Sequence, residues 1–137
     1  MNSLMKILFL CEANSSRSQM AEGIGKKILG RKHQIKSAGS KPASSVNPNA
    51  VEALSEIGIN ITPHKPKTLK ALPASFLKDL DYIITLCGEE TCPTIKVKSE
   101  KLHWPLLDPA RENTLDAFRE ARDEIKRHIE SLKEVLE

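Results

Sequence analysis

The sequence predicts a single α/β domain with a four-stranded, mostly parallel sheet flanked by helices. Short apolar runs alternate along the chain with segments whose apolar residues recur every three or four positions. The 137 residues match the size of one ordinary domain, and no linker or repeat divides residues 1–137. Apolar residues make up 39% of the chain and charged residues 28%, which is typical of a globular protein.

Four elements are predicted in the first half of the chain. They are a strand over Met5–Leu10, a helix over Ser18–Leu29, a strand over Gln34–Ala38 and a helix from Asn47 to Gly58. The first strand is continuously apolar, as parallel strands buried on both faces are. Gly30 is a suitable C-cap for the first helix, and Asn47 followed by Pro48 suits the start of the second.

The second half is predicted to begin with a loop and to end with a long helix. Residues 59–70 contain two Pro and no sustained period, so we expect a loop there. The elements that follow are one or two helical turns over Pro73–Lys78, strands over Tyr82–Leu86 and Lys101–Trp104, and a helix from Asn113-Thr114 to about Leu136. Apolar residues recur every three or four positions in that last helix.

Reactive side chains follow three of the four predicted strands. Cys11 follows the first strand, Cys87 the third, and Asp108 comes shortly after the fourth. The carboxyl ends of parallel strands lie at one edge of a sheet, where functional residues collect. We therefore expect these three residues to lie near one another.

The loop after the first strand has the composition of an oxyanion site. Backbone N–H groups at the start of a helix bind tetrahedral anions such as phosphate or arsenate, and Arg17 adds a planar fork that grips two oxygens. The same positive field favours the thiolate of Cys11, to which Ser18 can donate its hydroxyl. Asn14 tolerates the left-handed backbone that such a loop needs. The predicted oxyanion-binding residues are Glu12, Ala13, Asn14, Ser15, Ser16, Arg17 and Ser18.

The roles of the other two cysteines and of Asp108 stay open on the residues alone. Cys87 and Cys92 are separated by four residues and suit buried apolar positions, half of a zinc site, or a thiol–disulfide relay. The zinc alternative has no second Cys or His pair at ligand spacing. Asp108 precedes Pro109, so it is either a turn residue or an acid beside the pocket. His33, His64, His103 and His128 receive no predicted role.

The charge and hydropathy patterns exclude several classes of partner. The net charge is +3 and the Lys and Arg residues are scattered, which argues against nucleic acid. No apolar run approaches 18 residues, so we expect no membrane span, and the N-terminus lacks the pattern of a signal peptide. We expect a cytoplasmic, reducing location, in which three cysteines favour chemistry over structural disulfides. We also expect a monomer with no cofactor and no resident metal.

The segment Cys11–Gly23 resembles the active-site loop of the low-molecular-weight protein tyrosine phosphatase superfamily, and it is most similar to the thioredoxin-coupled arsenate reductase branch. Further similar segments follow in the same order over nearly the whole chain. They are Ser37-Ala38-Gly39, Val46-Asn47-Pro48, Gly58-Ile59, Asp81–Cys87, Cys92-Pro93, His103-Trp104 and Asp108-Pro109-Ala110.

The resemblance implies a low-molecular-weight phosphatase-like fold and a reduction of arsenate to arsenite that confers arsenical resistance. In the implied sequence of steps, Cys11 attacks arsenate held by the loop amides and Arg17, and Asp108 protonates the departing hydroxyl. Cys87 then attacks Cys11 and releases arsenite. Cys92 attacks Cys87, and thioredoxin reduces the resulting Cys87–Cys92 disulfide. Phosphate and sulfate are the implied competing oxyanions.

Two departures from the family pattern bear on this interpretation. Some relatives bind potassium through four oxygen ligands; Asn14, Glu22 and Ser37 match three of them, but Lys67 stands at the fourth, acidic position. We therefore expect the Lys67 ammonium to replace the ion. Ala110 stands where many of the phosphatases have Tyr, which favours a small inorganic oxyanion. The alternatives are a low-molecular-weight phosphatase and a non-catalytic thiol sensor or metal-binding protein.

Overall fold

A computed structural model describes residues 4–88 and 99–137. Its strands are β1 (Lys6–Cys11), β2 (Gln34–Gly39), β3 (Tyr82–Thr85) and β4 (Glu100–His103). Its helices are α1 (Arg17–Leu29), α2 (Pro48–Ser55), α3 (Ala74–Lys78) and α4 (Leu115–Leu136). A 3₁₀ turn over Leu69–Ala71 was not predicted. Cys92 lies outside the described residues.

The four strands form one sheet in the order β2-β1-β3-β4, and every pairing between them is parallel. The predicted fold class is therefore confirmed. The chain leaves β1 for β2 on one side and returns to β3 on the other, so the strand order reverses at β1. In open parallel sheets, ligands bind in the crevice at the carboxyl ends of the strands where this reversal occurs. The loop after Cys11 lies at that crevice.

Helices cover both faces of the sheet, which explains the uninterrupted apolar run of β1. Ile7 and Phe9 pack into the larger core, which α1, α2 and α4 contribute to. Leu8 and Leu10 pack on the opposite face, in the smaller core that includes Phe76 of α3. Successive side chains of a strand point to opposite faces, so a strand covered on both sides needs apolar residues at every position.

Element ends differ from the predicted ones by a few residues. β1 continues to Cys11, and α1 begins at Arg17, so the loop between them is shorter than predicted. β3 ends at Thr85, although the N–H of Leu86 still donates to Leu10 O at 2.9 Å. Such shifts are usual at strand and helix ends. Their consequence here is that Arg17 sits in the first turn of α1.

The caps of α2 and α4 follow the predicted residue types. Asn47 Oδ1 accepts the N–H of Asn49, as expected of an N-cap. Thr114 Oγ1 accepts the N–H of Ala117 at 3.1 Å, so Thr114 is the N-cap of α4. Asn113 instead takes a left-handed backbone with a φ of 54°. Across residues 4–88 and 99–137, no helix combines the length and apolarity needed to cross a bilayer.

Candidate active site

Backbone hydrogen bonds beyond the strand ends bring together the segments that carry Cys11, Cys87 and Asp108. The N–H of Leu86 donates to Leu10 O at 2.9 Å, which sets the start of the Cys87 segment beside the end of β1. The N–H of Leu106 donates to Leu86 O at 3.3 Å, which adds the segment that leads to Asp108. The predicted convergence of these segments at the carboxyl edge of the sheet is therefore confirmed.

The loop after β1 is held on its outer side by the segment that follows β2. The backbone N–H groups of Lys41, Ala43 and Asn47 donate to the carbonyl oxygens of Glu12, Ala13 and Ser15 respectively, each at 2.9 Å. In a trans peptide the C=O and the N–H point in opposite directions. The N–H groups of the next residues in the loop thus point away from this outer segment, as an inward-facing oxyanion site requires.

Asn14 fixes the curvature of the loop. Its φ of 49° is the left-handed conformation that the sequence predicts, and its side chain is fully buried. Asn14 Nδ2 donates to Ser18 Oγ at 2.7 Å and to Ser37 Oγ at 3.0 Å. Its Oδ1 accepts from Gln19 Nε2 and from the N–H of Lys67, both at 3.0 Å. One side chain therefore connects the loop to α1, to β2 and to the segment before α3.

The nucleophile predicted at Cys11 contacts the predicted hydroxyl donor. Cys11 Sγ lies 2.9 Å from Ser18 Oγ, and Cys11 is 2% exposed. Because Asn14 Nδ2 donates to Ser18 Oγ, the serine hydroxyl hydrogen can point at the sulfur. This contact places Ser18 where it can assist the attack that is predicted for Cys11.

Arg17 is buried, and carbonyl oxygens anchor its guanidinium. Arg17 Nη1 donates to Leu106 O at 2.9 Å and to Leu86 O at 3.4 Å. Arg17 Nη2 lies 3.8 Å from Asp108 Oδ2. Sequence reasoning missed the two carbonyl anchors, since any residue type supplies a backbone acceptor. The guanidinium thereby reaches both loops that follow β3 and β4.

The two carboxylate oxygens of Asp108 have different surroundings. Its Oδ1 accepts the N–H of Ala110 at 3.0 Å, which is the turn role. Its Oδ2 faces Arg17, and about a third of its side chain is exposed (35%). A carboxyl that is anchored on one oxygen, lies beside the pocket and reaches solvent can deliver a proton and recover it from water.

The carboxylate of Glu22 is buried next to Ser37. The family resemblance matches Glu22 with a potassium ligand of some relatives. Glu22 Oε1 accepts from Ser37 Oγ at 2.6 Å and lies 3.6 Å from Lys67 Nζ. Glu22 Oε2 accepts from Lys26 Nζ at 2.7 Å. Burial alone would raise the pKa of Glu22, but the charge of Lys67 and the hydrogen bonds from Lys26 and Ser37 hold that pKa below its ordinary value. The Lys67 ammonium thus lies beside the carboxylate of Glu22, as the sequence-based replacement of an ion by Lys67 requires.

His64, which received no predicted role, supports this region. Its Nδ1 lies 3.0 Å from Gln19 Oε1 and its Nε2 lies 3.9 Å from Glu22 Oε2. Gln19 Nε2 donates to Asn14 and to Lys65 O, so Gln19 Oε1 is an acceptor and His64 Nδ1 carries a proton. Burial lowers the pKa of His64, and the charge of Glu22 opposes that effect. Gln19 and His64 are 45 residues apart, so no local sequence pattern predicts their contact.

Three asparagines, here called the asparagine bracket (Asn47, Asn49 and Asn113), join the loop of Cys11 to the loop of Asp108. Asn47 Nδ2 donates to Asn113 Oδ1 at 3.0 Å, and Asn49 Nδ2 donates to Asn113 O at 3.2 Å. On one side the N–H of Asn47 donates to Ser15 O, and on the other the N–H of Asn113 donates to Pro109 O, both at 2.9 Å. The bracket therefore links the loop of Cys11 to the loop of Asp108.

The architecture agrees with comparisons to known proteins. Residues 6–137 match the family described as low molecular weight phosphotyrosine protein phosphatase. This chain belongs to that family. Among its relatives is an arsenate reductase of Halalkalibacterium halodurans, which is 43% identical over 135 residues, spanning 93% of this chain and 94% of the relative.

Solved structures of arsenate reductases share the architecture of this chain. The crystal structure of an arsenate reductase from Archaeoglobus fulgidus superposes with a TM-score of 0.81 at 27% identity, over 94% of this chain and 99% of that one. A thioredoxin-dependent arsenate reductase from Corynebacterium glutamicum superposes with a TM-score of 0.76 at 32% identity, over 97% of this chain and 62% of that one.

The two described cysteines of this family member differ in their bonding. Cys11 is a free thiol, whereas Cys87 is disulfide-bonded and 1% exposed. Gly88 follows Cys87 directly and packs against the segment that anchors Arg17. A Cβ there would lie 2.5 Å from Leu106 O, so a side chain would displace the segment that anchors Arg17. Within residues 4–88 and 99–137, no three His, Cys, Asp or Glu side chains are grouped to hold a metal.

Proposed function

We propose that this protein reduces arsenate to arsenite through a relay of three thiols. The observation that carries the proposal is a free Cys11 at the base of an oxyanion loop with a disulfide-bonded Cys87 at the end of the neighbouring strand. Hydrolysis of a phosphoester needs only the first of these sulfurs. The arsenate reductases among the relatives support the choice of oxyanion.

In the proposed reaction the Cys11 thiolate attacks arsenic while the loop amides and Arg17 bind the oxygens. Asp108 gives a proton to the departing hydroxyl, which leaves as water. The Cys87 thiolate then attacks the sulfur of Cys11. The electron pair of the sulfur–arsenic bond passes to arsenic, As(V) becomes As(III), and arsenite departs.

Recycling of the enzyme follows from the same thiol–disulfide exchange. Cys92 attacks Cys87, which frees the Cys11 thiolate and leaves a Cys87–Cys92 disulfide. Thioredoxin supplies the two electrons that reduce this disulfide, a proposal that the thioredoxin-dependent relative supports. Phosphate and sulfate, which have the same tetrahedral shape, are expected to compete with arsenate at the loop. We also propose that the protein acts as a monomer in the reducing cytoplasm.

Phosphomonoester hydrolysis is the second candidate, because the family match and the Cys11 loop fit it equally well. The distribution of aromatic side chains favours arsenate. Phe9, Phe76, Phe118 and Trp104 are buried, and Tyr82 begins β3, at the end of the sheet opposite to Cys11. These are all five aromatic residues of the chain, so none stands at the pocket mouth to stack on an aryl phosphate.

A direct comparison of the two substrates tests the proposal. Purified protein is supplied with arsenate, thioredoxin, thioredoxin reductase and NADPH, and separately with an aryl phosphate. We expect many turnovers of arsenite formation, with one NADPH oxidised for each arsenite, and slow release of phosphate. Fast hydrolysis of the aryl phosphate without arsenate turnover would assign the protein to the phosphatases.

Potassium is expected to have no specific effect on activity, because the Lys67 ammonium already neutralises the Glu22 carboxylate. Arsenate reduction is measured over a range of potassium concentrations, with sodium at equal ionic strength as the control. Activity that saturates with potassium in the wild-type protein would contradict this prediction. The Lys67→Asp variant, which removes the ammonium and adds a carboxylate, is expected to gain potassium-dependent activity.

The asparagine bracket is expected to position Asp108 for proton transfer. Asn113→Gly keeps the left-handed backbone but removes Oδ1, whereas Asn113→Asp keeps an oxygen acceptor there. We expect Asn113→Gly to lower the single-turnover rate of arsenate reduction about 10-fold and to change its pH profile, because a misplaced proton donor slows the step. Asn113→Asp is expected to retain most of the rate. If both variants lose the same fraction of the single-turnover rate and keep the pH profile of the wild type, the bracket has only a structural role.

A further inference from the structure

A basic groove lies behind the proposed active site, on the far side of Glu22. It runs between the C-terminal half of α1, the turn after that helix and residues 58–64, and it has a volume of about 700 Å³. Its polar walls are formed by Lys26, Lys27, Arg31, His33 and His64, and Gly30 and Gly58 line it as well. Among the described residues that line this basic groove there is no carboxylate.

The groove presents both charge and hydrogen-bond donors. Lys27 and Arg31 are exposed, and Lys27 Nζ, which donates to Ile57 O at 3.3 Å, has further N–H groups to offer an anion. His33 Nδ1 accepts the N–H of Met5 at 3.0 Å, which leaves the proton of the neutral ring on Nε2. Burial, followed by the charge of Lys32, lowers the pKa of His33 and favours this neutral ring. The combination suits an anion that carries several charges along an extended length.

Lys26 connects the basic groove to the nucleophile. It is the first member of a continuous chain of hydrogen bonds. The chain runs from Lys26 to Glu22 at 2.7 Å, to Ser37 at 2.6 Å, to Asn14 at 3.0 Å, to Ser18 at 2.7 Å and to Cys11 at 2.9 Å. The Lys26 side chain is 47% exposed, so it can contact an anion in the groove while Glu22 remains buried.

We propose that the basic groove binds a polyphosphate group and that its occupation reduces the reactivity of Cys11. A bound polyphosphate competes with the Glu22 carboxylate for Lys26 and brings further negative charge to that side of the chain of hydrogen bonds. Both changes lower the electrostatic potential that acts on Cys11 and so slow its attack on an electrophile. The groove would therefore act as an inhibitory effector site. The inference does not depend on whether Cys11 reduces arsenate or hydrolyses a phosphoester.

The glycines of the chain allow the site to be located by NMR. Backbone amide shifts are followed while inorganic triphosphate, and in a second series ATP, is added to the uniformly ¹⁵N-labelled protein. We expect Gly30 and Gly58, which line the groove, to shift in a saturable way. Gly39 reports on the oxyanion loop, because a Cβ there would lie 2.5 Å from Glu12 O. Shifts confined to Gly39 would place the anion in the oxyanion loop and overturn the proposal.

Paired charge variants complete this test. Lys27→Gln/Arg31→Gln removes two cations of the groove, and Lys101→Gln/Arg127→Gln removes two exposed cations elsewhere. We expect the groove variant to weaken triphosphate binding about 10-fold and the control variant to bind like the wild type. Equal binding by both variants would show a non-specific effect of net charge. Saturation of the groove by ATP but not by triphosphate would overturn the proposal, because the polyphosphate group alone would then not bind.

The coupling to Cys11 is measured by alkylation of that residue with iodoacetamide, followed by mass spectrometry. Saturating triphosphate is expected to slow alkylation about 3-fold in the wild type and the control variant, since the added negative charge acts on Cys11 from a distance and not by contact. The groove variant is expected to show no such protection. Protection that persists in the groove variant, or binding at the groove without any change in alkylation, would contradict the proposed coupling.

Discussion

Replacing Cys11 with Ser is expected to lower the rate of arsenate reduction by a factor of at least about 10⁴, because a serine hydroxyl is not ionised near neutral pH and cannot act as the redox-active sulfur. Ser is nearly isosteric with Cys, and the contact with Ser18 can be kept as a hydroxyl–hydroxyl bond. We therefore expect an unchanged Tm. The measurement is arsenite formation with thioredoxin, thioredoxin reductase and NADPH.

The control for this prediction is Ser18→Ala, which leaves the sulfur in place and removes its hydrogen-bond donor. That variant is expected to retain a reduced rate, lower by about 10-fold, since one hydrogen bond to an ionised group contributes on the order of 1.5 kcal/mol. Together the two variants distinguish the contribution of the Cys11 sulfur from that of the Ser18 hydroxyl. Arsenite formation by Cys11→Ser at more than a trace of the wild-type rate would exclude Cys11 as the attacking atom.

Replacing Arg17 with Lys is expected to lower kcat/KM for arsenate by about 10²- to 10³-fold, because lysine keeps the positive charge but loses the planar fork of donors. The loss arises from geometry. One Arg17 nitrogen is bound to the carbonyls of Leu86 and Leu106, so the guanidinium is held in one orientation beside the loop. A lysine ammonium cannot bind those carbonyls and an oxyanion with the same spacing.

Arg122→Lys provides a matched control for the Arg17 variant. Arg122 is also a buried arginine, and its Nη1 also donates to a backbone carbonyl, that of Ala53, at 2.9 Å. It lies on α4 and pairs with Glu56, away from the loop of Cys11. We expect Arg122→Lys to lower Tm and to leave kcat/KM unchanged. A similar kcat/KM for both variants would mean that the fork of Arg17 does not bind the substrate.

Much of the fold and the centre of the site could be predicted because local patterns encode them. The apolar run of β1 predicts a buried strand because both faces of that strand are covered. Asn14 has a positive φ, and Asn is one of the residue types that adopt this conformation. The convergence of Cys11, Cys87 and Asp108 follows from parallel pairing alone, since each residue lies after the carboxyl end of a strand.

The supports of the site could not be predicted, because they join residues distant in the chain. The bracket between Asn49 and Asn113 spans 64 positions, and no periodicity connects them. The carbonyls that orient Arg17 belong to Leu86 and Leu106, whose side chains indicate only a core position. His64 was given no role because its partners, Gln19 and Glu22, come together only when α1 packs against the segment after α2.

The relay is the central claim, and mapping of disulfides after arsenate addition to the fully reduced protein tests it most directly. The wild-type protein is expected to form a Cys87–Cys92 disulfide and to release one arsenite per chain. Cys92→Ser is expected to release arsenite once and to stop as a Cys11–Cys87 disulfide, and Cys87→Ser is expected to release none. If Cys87→Ser and Cys92→Ser instead reduce arsenate over many turnovers with thioredoxin at the wild-type rate, the three-thiol relay is wrong.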